Sequence, residues 1–397
     1  MPIEFILFGA MLLGVAILHR RPMAVALTGL SAIAIYELFV SGFPAGGHGL
    51  AGLALHFANK WVGLADLLLL LVAFALLSNQ FERSNIPDAM PRFLPDDWTG
   101  GFALLALVFV MSIFLDNIAA AVIGGVMAKH LYKGRVGLAF LAAIVAAANA
   151  GGAGSVIGDT TTTIMWIHGV SPLTLLRAFS GAIPAFLVIG TVGAWMQQRH
   201  QPIVKDVEPG HPIDWIRVLV VLIVLITLVA VNVSVSAFFI GAREYVPSLG
   251  LAIWIAILVT AFLRRPDWKV APAALRSAVF LVALVAAASL MPVDALPAPS
   301  WGSILALGLA SSVFDNIPLT ALALEQGGYD WPLLAYAVGF GGSIVWFGSS
   351  AGVALTNLYP EGRSVVAWLR RGWFVILAYL VGFLVMLLAH GWKAAAP

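Results

Sequence analysis

Apolar runs long enough to cross a lipid bilayer follow one another along almost the whole chain, and no other feature constrains its fold as strongly. A helix needs ~20 apolar residues to span the hydrocarbon, and fewer where the bilayer is thin. Ten segments qualify, at roughly residues 3–18, 23–41, 61–81, 136–166, 173–198, 216–240, 248–263, 273–291, 332–358 and 365–390. Of the 397 residues, 61% are hydrophobic and only 10% are charged, against about 25% charged in a soluble domain. No aqueous fold hides that much apolar surface, so the solvent is lipid. The first 18 residues lack a basic start and an Ala-x-Ala cleavage site, and read as a first span rather than a signal peptide. The chain has no cysteine, which removes disulfides and thiolate metal sites. The net charge of +2 gives no sign of a nucleic-acid partner.

Two further apolar stretches, near 100–130 and 300–326, are each split by an Asp-Asn pair. Each is too long for one span and short for two, so each is expected to be a re-entrant helical hairpin that enters and leaves on one side. The basic residues test this layout, because Lys and Arg gather on the cytoplasmic side. With the N-terminus outside, Arg20, Arg21, Arg83, Arg92, Lys129, Lys133, Arg135, Arg199, Lys205, Arg217, Arg264, Arg265, Lys269, Arg276, Arg363, Arg370 and Arg371 all fall inside. Lys60, Arg177, Arg243 and Lys393 fall outside. That places 17 of the 21 basic residues on one side, and counting either Asp-Asn stretch as a single crossing would scramble the split. Both termini are then expected in the periplasm of a bacterial cell, with the chain a multi-pass protein of the inner membrane.

The chain also repeats itself. Phe114-Leu115-Asp116-Asn117-Ile118 recurs as Val313-Phe314-Asp315-Asn316-Ile317, 199 residues later. The stretch from Asn149 to Asp159, with Gly151, Gly152, Gly154 and Gly158, recurs from Gly339 to Ser350, with Gly341, Gly342 and Gly348, about 190 residues later. The first repeat is expected to cover 1–198, with its hairpin at about 100–130 and a broken helix at about 136–166. A cytoplasmic linker follows at 199–215. The second repeat covers 216–397, with its hairpin at about 300–326 and a broken helix at about 332–358. Five spans per half is an odd number, so the halves have inverted topology. Glycine-interrupted segments at matching positions of inverted halves are the sequence mark of a transporter site at the membrane midplane. Broken helix ends carry unpaired N–H and C=O groups that lipid cannot satisfy, so they persist only inside protein or beside a wet cavity.

Chemistry concentrates at those positions. Asp116 and Asp315 sit at the hairpin turns, each followed by an asparagine, Asn117 and Asn316. An intramembrane carboxylate is costly and marks function; the plain alternative is a helix cap, and one residue is able to do both. Asp159 follows the glycine break and precedes Thr160-Thr161-Thr162-Thr163. A carboxylate and hydroxyls beside free carbonyls suit a hard cation such as Na⁺, while the alternative is a cap with threonines bonded back to helix carbonyls. Ser155 and Gly158 belong to the same break, and Gly348, Ser349 and Ser350 stand at the corresponding place in the second half. Asn149, one turn earlier, either offers an amide oxygen to an ion or bonds between helices. Glu37 and Asp66 are expected near the periplasmic ends of their spans as solvated interface carboxylates, with His168 on a surface turn. Trp98, Trp166, Trp301, Trp331, Tyr359 and Trp392 are expected as interfacial anchors. The chain holds neither a Walker phosphate loop nor a His-Glu-x-x-His motif. Its glycine run at 151–154 follows no strand, so a dinucleotide site is not indicated. No nucleophile–base pair stands out, so the chain does not read as an enzyme.

At these residues the sequence resembles the ion transporter superfamily, which includes divalent-anion/sodium symporters, citrate–metal transporters, arsenite carriers and NhaD-type sodium/proton antiporters. A Ser-Asn-Thr motif often occupies the hairpin tips of that superfamily, where this chain has Asp116-Asn117-Ile118 and Asp315-Asn316-Ile317. Gly158-Asp159-Thr160-Thr161-Thr162-Thr163-Ile164-Met165-Trp166 is most similar to the NhaD-type antiporters, and also to a citrate transporter group. The resemblance covers nearly the whole chain. It implies an all-α membrane protein of about 10 transmembrane helices plus two re-entrant hairpins, and a homodimer whose transport domain moves against a scaffold.

Electrostatics weighs the substrates. A citrate or dicarboxylate site should offer cations, yet no Lys or Arg falls near the midplane in this layout, whereas Asp116, Asp159 and Asp315 do. Three acids repel an anion and attract a cation. The expected function is therefore Na⁺(Li⁺)/H⁺ antiport by alternating access, with the three aspartates as Na⁺ ligands. No cofactor is expected beyond the transported ions. The rival expectation is a Na⁺- or H⁺-coupled carboxylate carrier, in which bound cations neutralise the acids and a small organic anion docks at the hairpin helix N-termini. A passive channel is a third reading, disfavoured by two opposed hairpins.

Overall fold

The structure is a computed structural model that describes residues 2–18, 21–44, 46–86, 94–204, 212–238 and 245–395. Of the charges used for orientation, Arg20, Arg92, Lys205 and Arg243 lie outside the described residues, as does part of the 199–215 linker. The described residues form helices and no strand, the all-α class expected. In chain order the helices are α1 (Ile3–Ile17), α2 (Pro22–Tyr36), α3 (Gly49–Glu82), α4 (Trp98–Phe114), α5 (Asn117–Leu131), α6 (Leu138–Gly152), α7 (Thr160–Ile167), α8 (Phe179–His200) and α9 (Trp215–Phe238). They continue as α10 (Ser248–Thr260), α11 (Ala271–Ser289), α12 (Trp301–Ala310), α13 (Asn316–Gln326), α14 (Trp331–Gly341), α15 (Ser350–Leu358), α16 (Val365–Arg371) and α17 (Trp373–His390). The helical segments Pro22–Ser41, Gly49–Glu82, Pro172–His200, Ala271–Ser289 and Trp373–His390 are long and apolar enough to cross a bilayer. The other apolar helices are shorter.

The chain divides into two compact units. One holds Met1–Ser84, Asp214–Pro297 and Ala321–Gln326; the other holds Asn85–Ile213, Ala298–Thr320 and Gly327–Pro397. Each unit draws on both halves of the sequence, so the units cut across the repeat division at 198.

In the first unit α3 packs on α9, α10 and α11, and α2 packs on α1 and α11. The helix α3 is 34 residues long and begins well before the expected span at 61. The extra turns carry Lys60, whose Nζ lies 2.7 Å from Glu325, and His56, which is buried and bonds Ser289 through Nε2. Two expectations fail in this unit. Asp66 is not a solvated interface group but is buried, because its Oδ1 accepts the Gly250 amide at 2.8 Å and so caps the first turn of α10 from a neighbouring helix. Glu37 is buried as well, at 2% exposure, because the chain passes there into a π-turn over Glu37–Ser41 that packs on α3.

The second unit is organised around α6 and α14, whose residues are buried almost throughout. Their sequences, LAFLAAIVAAANAGG and WPLLAYAVGFG, are rich in small residues, which lets helix backbones approach closely where lipid gives no hydrophobic drive. Around α6 pack α4, α5, α8, α14, α15 and α16; α14 packs on α12 and α17. Two helical stretches of this unit are interrupted. Residues 153–159 separate α6 from α7, and 342–349 separate α14 from α15. Both Asp-Asn stretches are helix–turn–helix segments, α4–α5 and α12–α13. The two copies share detailed contacts. A Cβ at Gly151 would strike the Phe109 carbonyl, and one at Gly341 the Gly308 carbonyl. A Cβ at Gly152 would lie 2.8 Å from Gly158 O, and one at Gly342 2.9 Å from Gly348 O. Three expected anchors are buried instead: Trp166, Trp331 and Tyr359. The Trp331 indole donates to Ala395 O, and the Tyr359 hydroxyl donates to Gly125 O. Trp98 and Trp301 are exposed, as an anchor should be.

The close backbone approach makes a test. Gly151→Ala and Gly341→Ala should each destabilise the protein by about 1–3 kcal/mol through overpacking, read as a lower melting temperature in detergent. Gly9→Ala, on α1 with nothing within 4 Å of the added methyl, should leave it unchanged or slightly raised.

Candidate functional site

The helices that follow the two Asp-Asn turns and the two breaks each start on a polar cap. Asp116 Oδ1 accepts the Ile118 amide at 3.3 Å, opening α5. Asp159 Oδ1 accepts the Thr161 amide at 3.0 Å, opening α7. Asp315 Oδ1 accepts the Ile317 amide at 3.0 Å, opening α13. Ser349 Oγ accepts the Gly352 amide at 3.3 Å, opening α15. Capping is thus present in every copy, and the positive end of each helix favours the carboxylate that caps it. It uses one oxygen per aspartate. The second oxygen of Asp159 is buried and has no hydrogen-bond partner among the described residues.

Hydrogen bonds tie these caps together. The Asn117 amide donates to Gly158 O at 3.0 Å, so the first hairpin turn closes onto the backbone just before Asp159. The Asn316 side-chain amide donates to Asp159 Oδ1 at 3.3 Å, bringing the second turn to the same carboxylate. Ser350 Oγ donates to Asp315 Oδ2 at 3.5 Å. Asp159 also interacts electrostatically with both Asp116 and Asp315. Asp159 is almost fully buried, at 1% exposure, while Asp116 and Asp315 are half-buried. No lysine or arginine hydrogen-bonds or pairs with any of the three among the described residues.

A second polar thread runs through Asn149. Its Oδ1 accepts from Asn117 Nδ2 at 3.1 Å, and its Nδ2 donates to Ser343 Oγ at 2.9 Å. Asn149 has no exposed surface. It therefore joins the first hairpin turn to the second break, which is the interhelical reading of this residue. Ser155 is engaged with backbone: its Oγ donates to Ile113 O and accepts from the Ile157 and Gly158 amides. Thr162 Oγ donates to Ser155 O and Asp159 O, and Thr163 Oγ to Val156 O and Asp159 O. These two threonines satisfy carbonyls that the break leaves without helix partners. Thr161 Oγ is buried beside the Asp159 carboxylate, and Thr160 is half-buried. Gly158 and Gly348 are buried and face backbone carbonyls, Ser112 O and Ser312 O, where no side chain fits. Ser350 is exposed.

Three participants were not singled out from sequence. Ser343 holds Asn149. Ser112 is fully buried, with its hydroxyl unpartnered among the described residues. Gly339 faces Asp159, whose Oδ2 a Cβ at 339 would approach to 2.9 Å. The signal for Gly339 was its register with Asn149 in the repeat; Ser112 and Ser311-Ser312 likewise precede the two Asp-Asn turns. Among the described residues, no group of three or more His, Cys, Asp or Glu side chains is arranged to hold one metal ion. Any cation at a single aspartate must therefore draw its remaining ligands from neutral oxygens.

No protein-family model matches the chain. Among curated proteins, it is 28% identical over 358 residues to "Sodium/proton antiporter 1" of Arabidopsis thaliana, covering 79% of this chain and 58% of that protein. It is 26% identical over 386 residues to "Na(+)/H(+) antiporter NhaD" of Vibrio cholerae, covering 82% and 78%. A protein of the same name from Halomonas elongata is 24% identical over 394 residues, covering 84% and 77%. The chain thus spans a little over half of the plant relative and about three quarters of the bacterial ones.

The Asn149 bridge sets the next expectation. Asn149→Ala leaves Asn117 Nδ2 and Ser343 Oγ unpaired and should cost about 1–3 kcal/mol. Ser343→Ala should cost less. Because the two residues touch, a double-mutant cycle on thermal stability should give a coupling of about 0.5–3 kcal/mol, and additivity would contradict the bridge.

Proposed function

We propose that this chain is a Na⁺/H⁺ antiporter that works at the cluster of Asp116, Asp159 and Asp315. One observation carries this reading: among the described residues a buried carboxylate, Asp159, keeps one oxygen without a hydrogen-bond partner beside two broken helices, and no basic side chain pairs with it. The relatives agree with it, each being named a sodium/proton antiporter.

The chemistry follows from the donors present. Asp159 Oδ2 accepts either a proton or a cation, and occupancy by one expels the other. Na⁺ prefers oxygen ligands. Thr161 Oγ and Thr160 supply neutral ones beside the carboxylate, and Asn316 steadies its other oxygen. Asp116 and Asp315 raise the local negative potential and draw cations to the site; Li⁺ suits the same donors. Asn117, Ser349 and Ser350 complete the two hairpin approaches, and Asn149, Ser155, Gly158 and Gly348 hold the breaks in place. Exchange needs only that the loaded site face each side of the membrane in turn.

The finer architecture belongs to the same proposal. Ten spans and two re-entrant hairpins form two inverted repeats, in a bacterial inner membrane with both termini in the periplasm. The shared contacts of the two copies support the repeat, and the arginines at the ends of α8 and α16 support the orientation. Alternating access moves the hairpin and broken-helix elements against the remaining spans, in a homodimer.

The test is proton-gradient dequenching by NaCl in proteoliposomes. Wild type should dequench with Na⁺ and Li⁺ and not with citrate. Asp159→Asn should abolish exchange, and Asp116→Asn and Asp315→Asn should lower it at least about tenfold, corresponding to roughly 1.4 kcal/mol or more. Wild-type exchange in all three variants would refute the assignment. Thermal stabilisation by Na⁺ should vanish in Asp159→Asn while the variant remains folded.

A further inference from the structure

The start of α6 frames a cavity that the aspartate site does not use. It encloses about 350 Å³, within the ~300–1,000 Å³ of small-ligand pockets. Its lining mixes apolar residues, Leu138, Phe140 and Met196, with the polar Gln197, His200, Glu361 and Arg371. Gln197 is buried and committed: its Oε1 accepts the Gly137 amide at 2.8 Å, and its Nε2 donates to Arg135 O. Phe140 and Leu141 send their amides to Gly137 O, which leaves the Leu138 and Ala139 amides without an acceptor among the described residues. Glu361 and Arg371 are exposed and form no ion pair among the described residues. The cavity thus presents a fixed cation and helix amides to an anionic group, and a fixed anion to a cationic one.

Its depth in the membrane is marked. Helices α8 and α17 are apolar over membrane-length segments, and the cavity lies where α8 ends and α17 is about to begin. Trp195, one turn before the end of α8, is exposed and carries the Arg199 guanidinium 3.6 Å above its ring. Trp373, the first residue of α17, is exposed too. Exposed tryptophans beside arginines mark the level of lipid headgroups.

We infer that this cavity binds the headgroup of an aminophospholipid, with the phosphate on Arg371 and the first-turn amides of α6 and the primary ammonium on Glu361. A purely anionic headgroup would leave Glu361 facing negative charge. A choline headgroup has no N–H to donate to it. A zwitterion whose ammonium carries N–H groups satisfies both ends, and a primary amine offers the most of them. The acyl chains then lie outside the pocket.

The experiment is native mass spectrometry of the purified full-length protein with lipids of matched acyl chains. The headgroup series runs from phosphatidylethanolamine through its N-methyl and N,N-dimethyl forms to phosphatidylcholine, with phosphatidylglycerol alongside. Retention on wild type should fall at each methylation, with ethanolamine at least about tenfold above choline and glycerol. Glu361→Gln and Arg371→Gln should each erase that preference. Free glycerophosphoethanolamine should compete for the bound lipid, which would separate headgroup recognition from chain partition. Equal retention of ethanolamine and choline lipids by wild type would overturn the inference even if a variant failed to fold, and so would variants that keep the preference.

Discussion

Every backbone N–H and C=O inside a membrane protein must find a partner within the protein, and the second unit is arranged around that requirement. Two helices stop in mid-course, at 153–159 and 342–349, and the groups released there are met locally. Thr162 and Thr163 take three carbonyls of the first break, Ser155 takes the Ile113 carbonyl and two amides, and Asn117 takes Gly158 O. The aspartates at the new helix starts take first-turn amides. The acids are therefore not decorations on a finished scaffold. They are part of what makes the breaks tolerable, and Asp159, which caps with one oxygen, has its other oxygen buried without a partner among the described residues.

In the proposed exchange the capping and functional readings of Asp159 do not compete. A capping carboxylate is stabilised as an anion by the helix end, whereas a buried, unpaired oxygen is costly. The first effect keeps charge in the site and the second gives that charge a demand for a cation or a proton. Gly158 and Gly348 permit both, since their missing side chains let the break press against the Ser112 and Ser312 carbonyls.

Features written as composition or spacing were legible in the sequence: the membrane character, the two glycine breaks, the Asp-Asn turns and the recurrence of the pattern. Partner choice was not. Hydropathy put Asp66 at an interface, but its position is decided by the Gly250 amide, 184 residues away. Trp331 and Tyr359 looked like anchors because they end apolar runs, yet each finds a backbone acceptor inside the unit. The start of α3 at Gly49 was missed because His56 and Lys60 interrupt the apolar signal; Ser289 and Glu325 supply their partners through space. Asn149 could be placed near the break, but neither of its partners could be read from its neighbours in the chain.

The two copies differ in a way that fixes how many charges the centre carries. Asp159 corresponds to Ser349 and Asn149 to Gly339. These differences are linked. Asp159 Oδ2 sits where a Cβ at position 339 would come to 2.9 Å, so an asparagine at 339, as the first copy has at 149, would press on the carboxylate. A glycine there makes room for one acid, while Asn149 in the first copy bonds across to Ser343 in the second break. A symmetric pair of aspartates would place two unpaired buried oxygens in one low-dielectric centre, where repulsion between like charges is strong. With Asp at one position and Ser at the other, the centre has a single deeply buried carboxylate. In the proposed exchange that carboxylate carries one monovalent ion or one proton at a time, and the half-buried Asp116 and Asp315 serve it from the two hairpin turns.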